Sequence, residues 1–320
     1  MKVIVDDKIP FIRGEVERLA DEVVYLPGGS ISSKDVRDAD ALVVRTRTHC
    51  NRQLLEGSRV RFIVTATIGY DHLDTDYLRE AGIQWTNCPG CNATSVAQYV
   101  RNSLFVIEQQ GPIELRTATL GIVGYGHVGK AVYEALKPYV REILVNDPFL
   151  GFSDEVTSCD IITLHTPLTY EGPYPTYRLV DEQFLLSVKN CPIIINAARG
   201  GVVDEEALER ALDEGNIRQA VIDTWEGEPL NLRLSLLQKV FIGTPHIAGY
   251  SADGKANATR MSLEALAHWM GREMHFDIRP PKAENQRTGL NYNPKDDSIP
   301  LKQAPETFEK LRGNYPLRRE

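Results

Sequence analysis

The chain has 320 residues, of which 42% are hydrophobic and 25% are charged, values that exclude disorder over most of its length. Its 36 lysines and arginines against 44 aspartates and glutamates give a formal charge of −8, which would repel nucleic acid and anionic membrane surfaces. At about 150 residues per domain, the length predicts two domains.

The five cysteines are scattered from Cys50 to Cys191, and their odd number is not typical of a disulfide-stapled secreted domain. The first apolar run ends at Asp6 and lacks the longer apolar segment of a signal peptide. No stretch approaches the ~20 apolar residues that a membrane-spanning helix needs. We therefore expect a cytoplasmic protein without a nucleic-acid or membrane partner.

Short apolar runs alternate with helical stretches along most of the chain. The first run, at 3–5, predicts a strand, and residues 10–21 follow it with helical spacing. Further buried strands are predicted at 41–44, 62–64, 120–123, 142–145, 161–164, 192–195 and 220–222. Nearly continuous apolar strands separated by helices indicate an α/β fold with doubly wound parallel sheets.

Two longer helices are predicted at 92–110, where Gly111-Pro112 would end the helix, and at 257–270. We expect them to join two lobes, a Rossmann nucleotide-binding domain inserted in a flavodoxin-like substrate domain. The predicted domains are 1–92 with 257–275 for substrate, 93–256 for nucleotide, and 276–320 as a short C-terminal arm. The arm is rich in proline and lacks periodicity, apart from a short helix at 306–312.

The strongest chemical signal is a glycine-rich turn between a strand and a helix, Gly124-Tyr125-Gly126-His127-Val128-Gly129. Gly124 would make the tight turn, Gly126 would let the backbone approach a pyrophosphate, and Gly129 would let helix and strand pack closely. Together with His127 and Val128, the turn places free N–H groups at a helix N-terminus, where phosphate binds. A turn that binds nothing is the less favoured alternative.

The next strand ends at Asp147, which follows Gly129 by 18 residues. A carboxylate there accepts hydrogen bonds from the ribose hydroxyls of the adenosine and repels a 2′-phosphate. Pro148 and Phe149 offer no cation to offset that repulsion. The pattern favours NAD over NADP as the cofactor.

Three polar clusters follow later strands, and they contain Arg199, Glu228 and His246. Oxidation of a secondary alcohol needs a base for the hydroxyl proton, and histidine titrates near neutral pH, which suits His246. Glu228 could orient that imidazole and stabilise its charged form, and Arg199 could grip a carboxylate. Each of the three could also be structural, and their spacing alone leaves both interpretations open.

With these residues in place, the chain resembles the D-isomer-specific 2-hydroxyacid dehydrogenase family. The resemblance is carried by the glycine turn, the Asn-x-x-Arg-Gly-x-x-Val-Asp stretch at 196–204, Glu228-Pro229 and His246. It implies that Arg199, Glu228 and His246 are the catalytic residues, with His246 as the acid and base.

Further motifs narrow the resemblance to a branch of the family that oxidises a phosphorylated 2-hydroxy acid. By that match, the substrate contacts are Thr46, Thr67 and Tyr250, and the NAD contacts include Asp147, Thr166, Asp223 and Gly249. The resemblance also implies a homodimer formed through a C-terminal region, which is shorter in this chain.

An arginine pair, Arg45 and Arg47, flanks Thr46 at the end of a predicted strand. Such a pair suits a dianion, so we expect both to help bind the substrate phosphate. The alternative is that both are solvated or pair with Asp40.

The leading prediction is therefore an NAD-dependent oxidation of a small phosphorylated 2-hydroxy acid. A dehydrogenase for another acid, such as 3-phosphoglycerate, is the near alternative, and an NAD-sensing binding protein is a more distant one. Cys88 and Cys91 form a Cys-x-x-Cys pair, but no second cysteine pair accompanies it, so we expect no metal site.

Overall fold

The computed structural model of the protein describes residues 1–111, 113–282 and 287–320. Its strands are β1 Lys2–Asp6, β2 Glu22–Leu26, β3 Ala41–Val44, β4 Phe62–Thr65, β5 Gln84–Thr86, β6 Thr119–Val123, β7 Glu142–Asp147, β8 Phe152–Ser153, β9 Ile161–Leu164, β10 Ile193–Asn196, β11 Gln219–Ile222 and β12 Ile242–Gly243. Its α-helices are α1 Ser33–Val36, α2 Arg52–Leu55, α3 Thr75–Glu80, α4 Ala93–Gln109, α5 His127–Leu136, α6 Glu182–Ser187, α7 Glu205–Asp213, α8 Leu234–Lys239, α9 Ala252–Trp269, α10 Lys295–Gln303 and α11 Phe308–Gly313.

The chain divides into two compact units. The first contains Met1–Asn92 and Ala252–Lys282, and the second contains Ala93–Ser251 together with 287–320. The return to the first unit lies at Ala252 rather than at the predicted 257, because α9 begins there.

The first unit is built on five parallel strands in the order β2-β1-β3-β4-β5. This is the flavodoxin-like order. Alternate residues of each strand enter two separate apolar clusters, as Val3 and Val5 do on one face and Ile4 on the other. The helix α9 packs on this sheet, where Trp269 stacks on Phe62 with ring centroids 5.2 Å apart.

The second unit is built on seven strands in the order β12-β11-β10-β9-β6-β7-β8, all parallel except β8. This is the Rossmann order with one strand added at the β12 edge. Ile193 and Ile195 enter one apolar cluster and Ile194 enters the other, so both faces of the sheet are covered. The α/β, doubly wound prediction is confirmed.

The predicted helix at 10–21 is wrong, because only Val16–Arg18 forms a single 3₁₀ turn. Phe11 and Gly14 have φ values of 61° and 87°, in the left-handed region that ends a helix. Helix α4 matches the predicted long helix to within a residue at each end, while Pro112, its predicted stop, lies outside the described residues.

The predicted arm is more ordered than its composition indicates. Within 287–320, α10 and α11 form, and Leu301 and Phe308 are buried in an apolar cluster of the second unit. Tyr292 is buried in the other cluster of that unit. Residues 287–320 therefore pack as part of the second unit, whereas 276–282 of the predicted arm belong to the first unit. Residues 283–286 of the predicted arm lie outside the described residues.

Across 1–111, 113–282 and 287–320, no helix combines the length and the apolar character needed to cross a membrane.

Candidate active site

The predicted site residues of the second unit lie after neighbouring parallel strands. Because carboxyl ends of parallel strands share one edge of a sheet, the residues that follow them face the same side, where ligands bind in open α/β sheets. In the order of the strands, this edge carries His246 after β12, Asp223 and Glu228 after β11, Arg199 after β10, Thr166 after β9, Gly124 after β6 and Asp147 at the end of β7.

The glycine turn has the geometry that the sequence predicts. Gly124 has a φ of 90°, and a Cβ on it would lie 2.8 Å from the backbone of His165. A Cβ on Gly129 would lie 2.1 Å from the carbonyl oxygen of Gly124, so helix and strand pack as closely as predicted. Above Gly126 there is open space, since a Cβ there meets no described atom within 4 Å.

Several features of this turn fit a dinucleotide. Gly126 caps the N-terminus of α5 and has no side chain to satisfy its free N–H groups. Asp147 accepts a hydrogen bond from the backbone N–H of Tyr125 at 2.7 Å, which holds the carboxylate beside the turn. The hydroxyl of Thr166 is buried and has no hydrogen-bond partner among the described residues. An unpaired buried hydroxyl is costly, and a bound ligand would satisfy it.

Glu228 and His246 are in direct contact, through Oε1 of the carboxylate and Nδ1 of the imidazole. The second oxygen, Oε2, accepts from the backbone N–H of Trp225 at 3.0 Å. Burial would raise the pKa of Glu228, but the hydrogen bond from His246 and the charges of His246 and Arg312 hold it below its usual value. The pair therefore keeps an ionised carboxylate against the imidazole, which orients the ring and stabilises its charged form.

Asp223 organises the loop that carries His246. Its carboxylate is buried and accepts hydrogen bonds from the Thr244 hydroxyl at 2.6 Å and from the N–H groups of Ile247 and Ala248 at 2.8 and 2.9 Å. Its carbonyl accepts the N–H of His246 at 2.8 Å. His246 has a φ of 54°, a conformation that non-glycine residues rarely adopt and that this network holds in place.

Arg199 lies in a turn fixed by Asn196. The amide of Asn196 accepts from the N–H of Ala198 and donates to the carbonyl of Arg199, both at 3.1 Å. The guanidinium donates to the carbonyl of Ala198 at 2.8 Å. A Cβ on Gly200 would lie 2.1 Å from the carbonyl of Trp225, so this turn packs directly on the one that leads to Glu228.

The predicted residues of the first unit form a separate group. Arg45, Thr46 and Arg47 follow β3, and Thr67 follows the neighbouring strand β4. Arg45 donates to the carbonyl of Lys8 at 2.8 Å, and Thr67 donates to the carbonyl of Gly69 at 2.8 Å.

The alternative partner of the arginine pair, Asp40, is otherwise engaged. Its carboxylate lies 3.0 Å from the guanidinium of Arg59 and 3.9 Å from that of Arg61. Arg45 and Arg47 lie past the opposite end of the same strand, β3, which Asp40 precedes. This placement opposes the pairing with Asp40, and the role of the two arginines in phosphate binding stays a prediction.

Two further groups of polar residues have surroundings that are typical of structural positions. His72 and His165 each bind a threonine hydroxyl, and burial lowers the pKa of His72 to about 4 and that of His165 to about 3. Burial raises the pKa of the Cys88 thiol to about 11, which opposes thiolate chemistry at the Cys-x-x-Cys pair. Among the described residues, no group of three or more His, Cys, Asp or Glu side chains could hold a metal ion.

Sequence reasoning missed the two arginines that the arm brings to this edge. Arg312 donates to the phenol of Tyr250 at 2.9 Å, and buried Arg318 donates to the carbonyl of Ala248 at 2.5 Å. These contacts join residues more than 60 positions apart, so no local spacing indicates them. The resemblance to the family extends to residues 308–320, and this extension is the one sequence signal that the arm contributes to the site.

Residues 92–248 match the family model for the NAD binding domain of D-isomer specific 2-hydroxyacid dehydrogenases. The full chain is similar to the erythronate-4-phosphate dehydrogenase of Bacteroides fragilis, with 50% identity over 339 residues that cover 100% of this chain and 97% of that protein. It is also similar to the erythronate-4-phosphate dehydrogenase of Escherichia coli O157:H7, with 40% identity over 350 residues, covering 100% of this chain and 92% of that protein.

Among solved structures, the chain resembles the NAD⁺-bound 3-phosphoglycerate dehydrogenase of Entamoeba histolytica, with a TM-score of 0.69 and 25% identity. That likeness covers 88% of this chain and 99% of the other.

Proposed function

Because the chain belongs to the D-isomer specific 2-hydroxyacid dehydrogenases and, within them, to the erythronate-4-phosphate dehydrogenases, we propose that it oxidises 4-phospho-D-erythronate to (R)-3-hydroxy-2-oxo-4-phosphooxybutanoate. NAD is the cofactor, and the reaction serves pyridoxal 5′-phosphate biosynthesis. The observation that carries the chemistry is the Glu228–His246 pair on the same sheet edge as the glycine turn.

We assign the NAD site to the second unit, and the geometry of the glycine turn at 124–129 supports this assignment. Backbone N–H groups at Gly126, His127 and Val128 meet the pyrophosphate, and Asp147 binds the ribose hydroxyls. Thr166, Asp223 and Gly249 line the rest of the cofactor site. When bound, NAD accepts the hydride that leaves C2 of the substrate.

His246 takes the proton of the substrate hydroxyl on its Nε2, because Nδ1 is held by Glu228. The carboxylate of Glu228 stabilises the charged imidazole that results. Arg199 binds the substrate carboxylate and polarises the carbonyl that develops at C2. In the reverse direction, His246 returns the proton to the carbonyl oxygen.

Five further residues are proposed to contact the substrate. Thr46, Thr67 and Tyr250 bind the substrate by hydrogen bonds, and Arg45 and Arg47 bind its phosphate. We assign residues 1–92 with Ala252–Lys282 to the substrate and Ala93–Ser251 to the nucleotide. The protein is proposed to act in the cytoplasm as a homodimer, a state that light scattering of the purified chain would measure.

A panel of acids with NAD, followed by NADH formation, tests the activity. We expect turnover of 4-phospho-D-erythronate and much weaker turnover of 3-phosphoglycerate and of unphosphorylated D-erythronate. The high identity to proteins that share one name favours this outcome over the 3-phosphoglycerate alternative. Clear turnover of another acid alone would contradict the assignment of 4-phospho-D-erythronate as the substrate. NAD binding without turnover of any acid would favour a sensing role.

Two sets of variants test the residue roles. His246→Ala is expected to lower turnover on the order of 10²–10⁴-fold while NAD still binds. Arg47→Ala is expected to raise KM for the phosphorylated substrate, with exposed Arg37→Ala as a control that removes the same charge elsewhere. An unchanged KM in Arg47→Ala would remove Arg47 from the phosphate site.

A further inference from the structure

Of the two arginine side chains that the arm brings to this edge of the second unit, one contacts Tyr250. That side chain is Arg312 of α11, and the helix is anchored beside it by Phe308 and Leu311, which pack in an apolar cluster of the unit. The helix is therefore fixed on the unit, and the direction of Arg312 is set by packing rather than by solvent.

Arg312 contacts Tyr250 in two ways. Its Nε–H donates to the phenol oxygen at 2.9 Å, and its guanidinium carbon lies 5.7 Å from the centre of the ring. Tyr250 belongs to the turn that carries His246, since its N–H donates to the carbonyl of Ile247 at 2.8 Å. A shift of Tyr250 is therefore transmitted to the loop of the proposed base.

Tyr250 also contacts an aromatic side chain of the arm. The ring of Tyr315 packs edge-on at 6.1 Å, and the hydroxyl of Tyr315 donates to Asp297 at 2.8 Å. Asp297 in turn pairs with Arg287. Tyr250 is thus held by two side chains of the arm, one cationic and one aromatic.

The charge of Arg312 also acts on the catalytic pair. It is one of the groups that hold the pKa of Glu228 below its usual value. Asp223 interacts electrostatically with His246 and Glu205 with Glu228, and the carboxylate of Glu309 lies 3.4 Å from the guanidinium of Arg312. Arg312 is the cation among them.

From this geometry we propose that Arg312 is a positioning residue of the active site, which holds Tyr250 for hydrogen bonding to the anionic substrate and keeps a positive charge near Glu228 of the catalytic pair. Because the phenol oxygen accepts from a cation, its own O–H points elsewhere and is a stronger donor. This inference rests on the proposed role of Tyr250 as a substrate contact.

Kinetics of Arg312→Gln, Tyr250→Phe and the double variant test the contact. Each single variant is expected to raise KM for the substrate about tenfold, the typical cost of losing a hydrogen bond to a charged partner. The double variant is expected to match the single ones, because the two residues act as one unit. Arg312→Lys, which keeps a donor and the charge, is expected to recover part of the loss.

The pH profile separates this role from a merely structural one. Without the positive charge of Arg312, protonation of the Glu228–His246 pair becomes easier, so the acidic limb of kcat/KM moves to higher pH in Arg312→Gln. In Arg312→Lys, the acidic limb should stay at the pH of the wild type. Lys310→Gln is the matched control, since it removes an exposed positive charge from the same helix and should change neither KM nor the limb.

Melting temperature and NADH affinity show whether the variants stay folded. If the wild-type enzyme prefers another 2-hydroxy acid, the proposed substrate is wrong. The kinetics of Arg312→Gln, Tyr250→Phe and the double variant are then measured with the preferred acid, so the role of Arg312 is still tested. NMR titration of the His246 ring in wild type, Arg312→Gln and Arg312→Lys needs no turnover. The midpoint of the titration should move to higher pH in Arg312→Gln alone, as the acidic limb does. Additive KM effects, or an unmoved titration in a folded Arg312→Gln, would overturn the inference.

Discussion

Replacing Glu228 by glutamine should disable the enzyme by reversing the hydrogen bonding of His246. In the native pair, one carboxylate oxygen binds the imidazole and the other accepts the backbone N–H of Trp225 at 3.0 Å. That N–H can only donate, so the amide oxygen of the glutamine must face it. The amide NH₂ then faces Nδ1 of His246 and forces the proton of the neutral ring onto Nε2.

An imidazole with its proton on Nε2 cannot accept the proton of the substrate. The opposite amide orientation would set two donors against each other at Trp225, which costs about 1–3 kcal/mol. A wrong tautomer of a catalytic histidine lowers turnover by about 10⁴-fold where its carboxylate partner is replaced by an amide. We therefore expect kcat of Glu228→Gln to fall on the order of 10³- to 10⁴-fold.

The assay measures kcat in both directions by NADH absorbance, together with NADH affinity and melting temperature. Because the side chains have the same shape, affinity and melting temperature should stay near those of the wild type. Glu226→Gln makes the same chemical change two residues away and is the control. Activity of Glu228→Gln within tenfold of the wild type would show that Glu228 does not set the tautomer of His246.

Three other changes have distinct expected outcomes. Gly129→Ala should lower both the melting temperature and, at least tenfold, the NADH affinity, because its Cβ would lie 2.1 Å from a backbone oxygen. Gly126→Ala has room for its Cβ, so it should lower NADH affinity in fluorescence titrations without lowering the melting temperature. Asp147→Ala should raise the ratio of kcat/KM with NADP to that with NAD, and an unchanged ratio would remove Asp147 from the ribose site. Burial raises the pKa of Glu205 to about 7, so its ionisation opposes folding as the pH rises. Glu205→Gln should therefore stabilise the protein at pH above about 7, by at most about 3 kcal/mol in urea unfolding, and change little near pH 5.

The buried strands could be predicted because parallel sheets bury both faces. Residues 41–44 and 161–164 are apolar or small throughout, and both form the strands that this pattern predicts. Strand β2, Glu22–Leu26, escaped prediction because it lies at a sheet edge, where its residues are half-exposed and no continuous apolar run is required. The predicted helix at 10–21 is much longer than the single turn at 16–18. Apolar residues at helical spacing do not reveal that a residue such as Phe11 adopts a left-handed conformation, which interrupts a helix.

The site was predictable to the extent that its residues stand in contiguous motifs. The turn at Gly124 and the pair of Glu228 and His246 follow strands directly, so their shared edge follows from the parallel sheet. The network around Asp223 and the contact of Arg312 with Tyr250 depend on distant segments meeting in three dimensions. Composition indicated an unstructured arm because few apolar residues anchor it, although Tyr292, Leu301 and Phe308 are almost fully buried.

The arm contributes to both layers that cover the β6–β12 sheet. Tyr292 fills one layer, whereas Leu301 and Phe308 fill the other. A nucleotide-binding unit excised at Ser251 would therefore expose an apolar gap on each side of its sheet. Chimeras that exchange this unit between relatives must carry the arm with it, and loss of the arm should be selected against through stability as well as through catalysis.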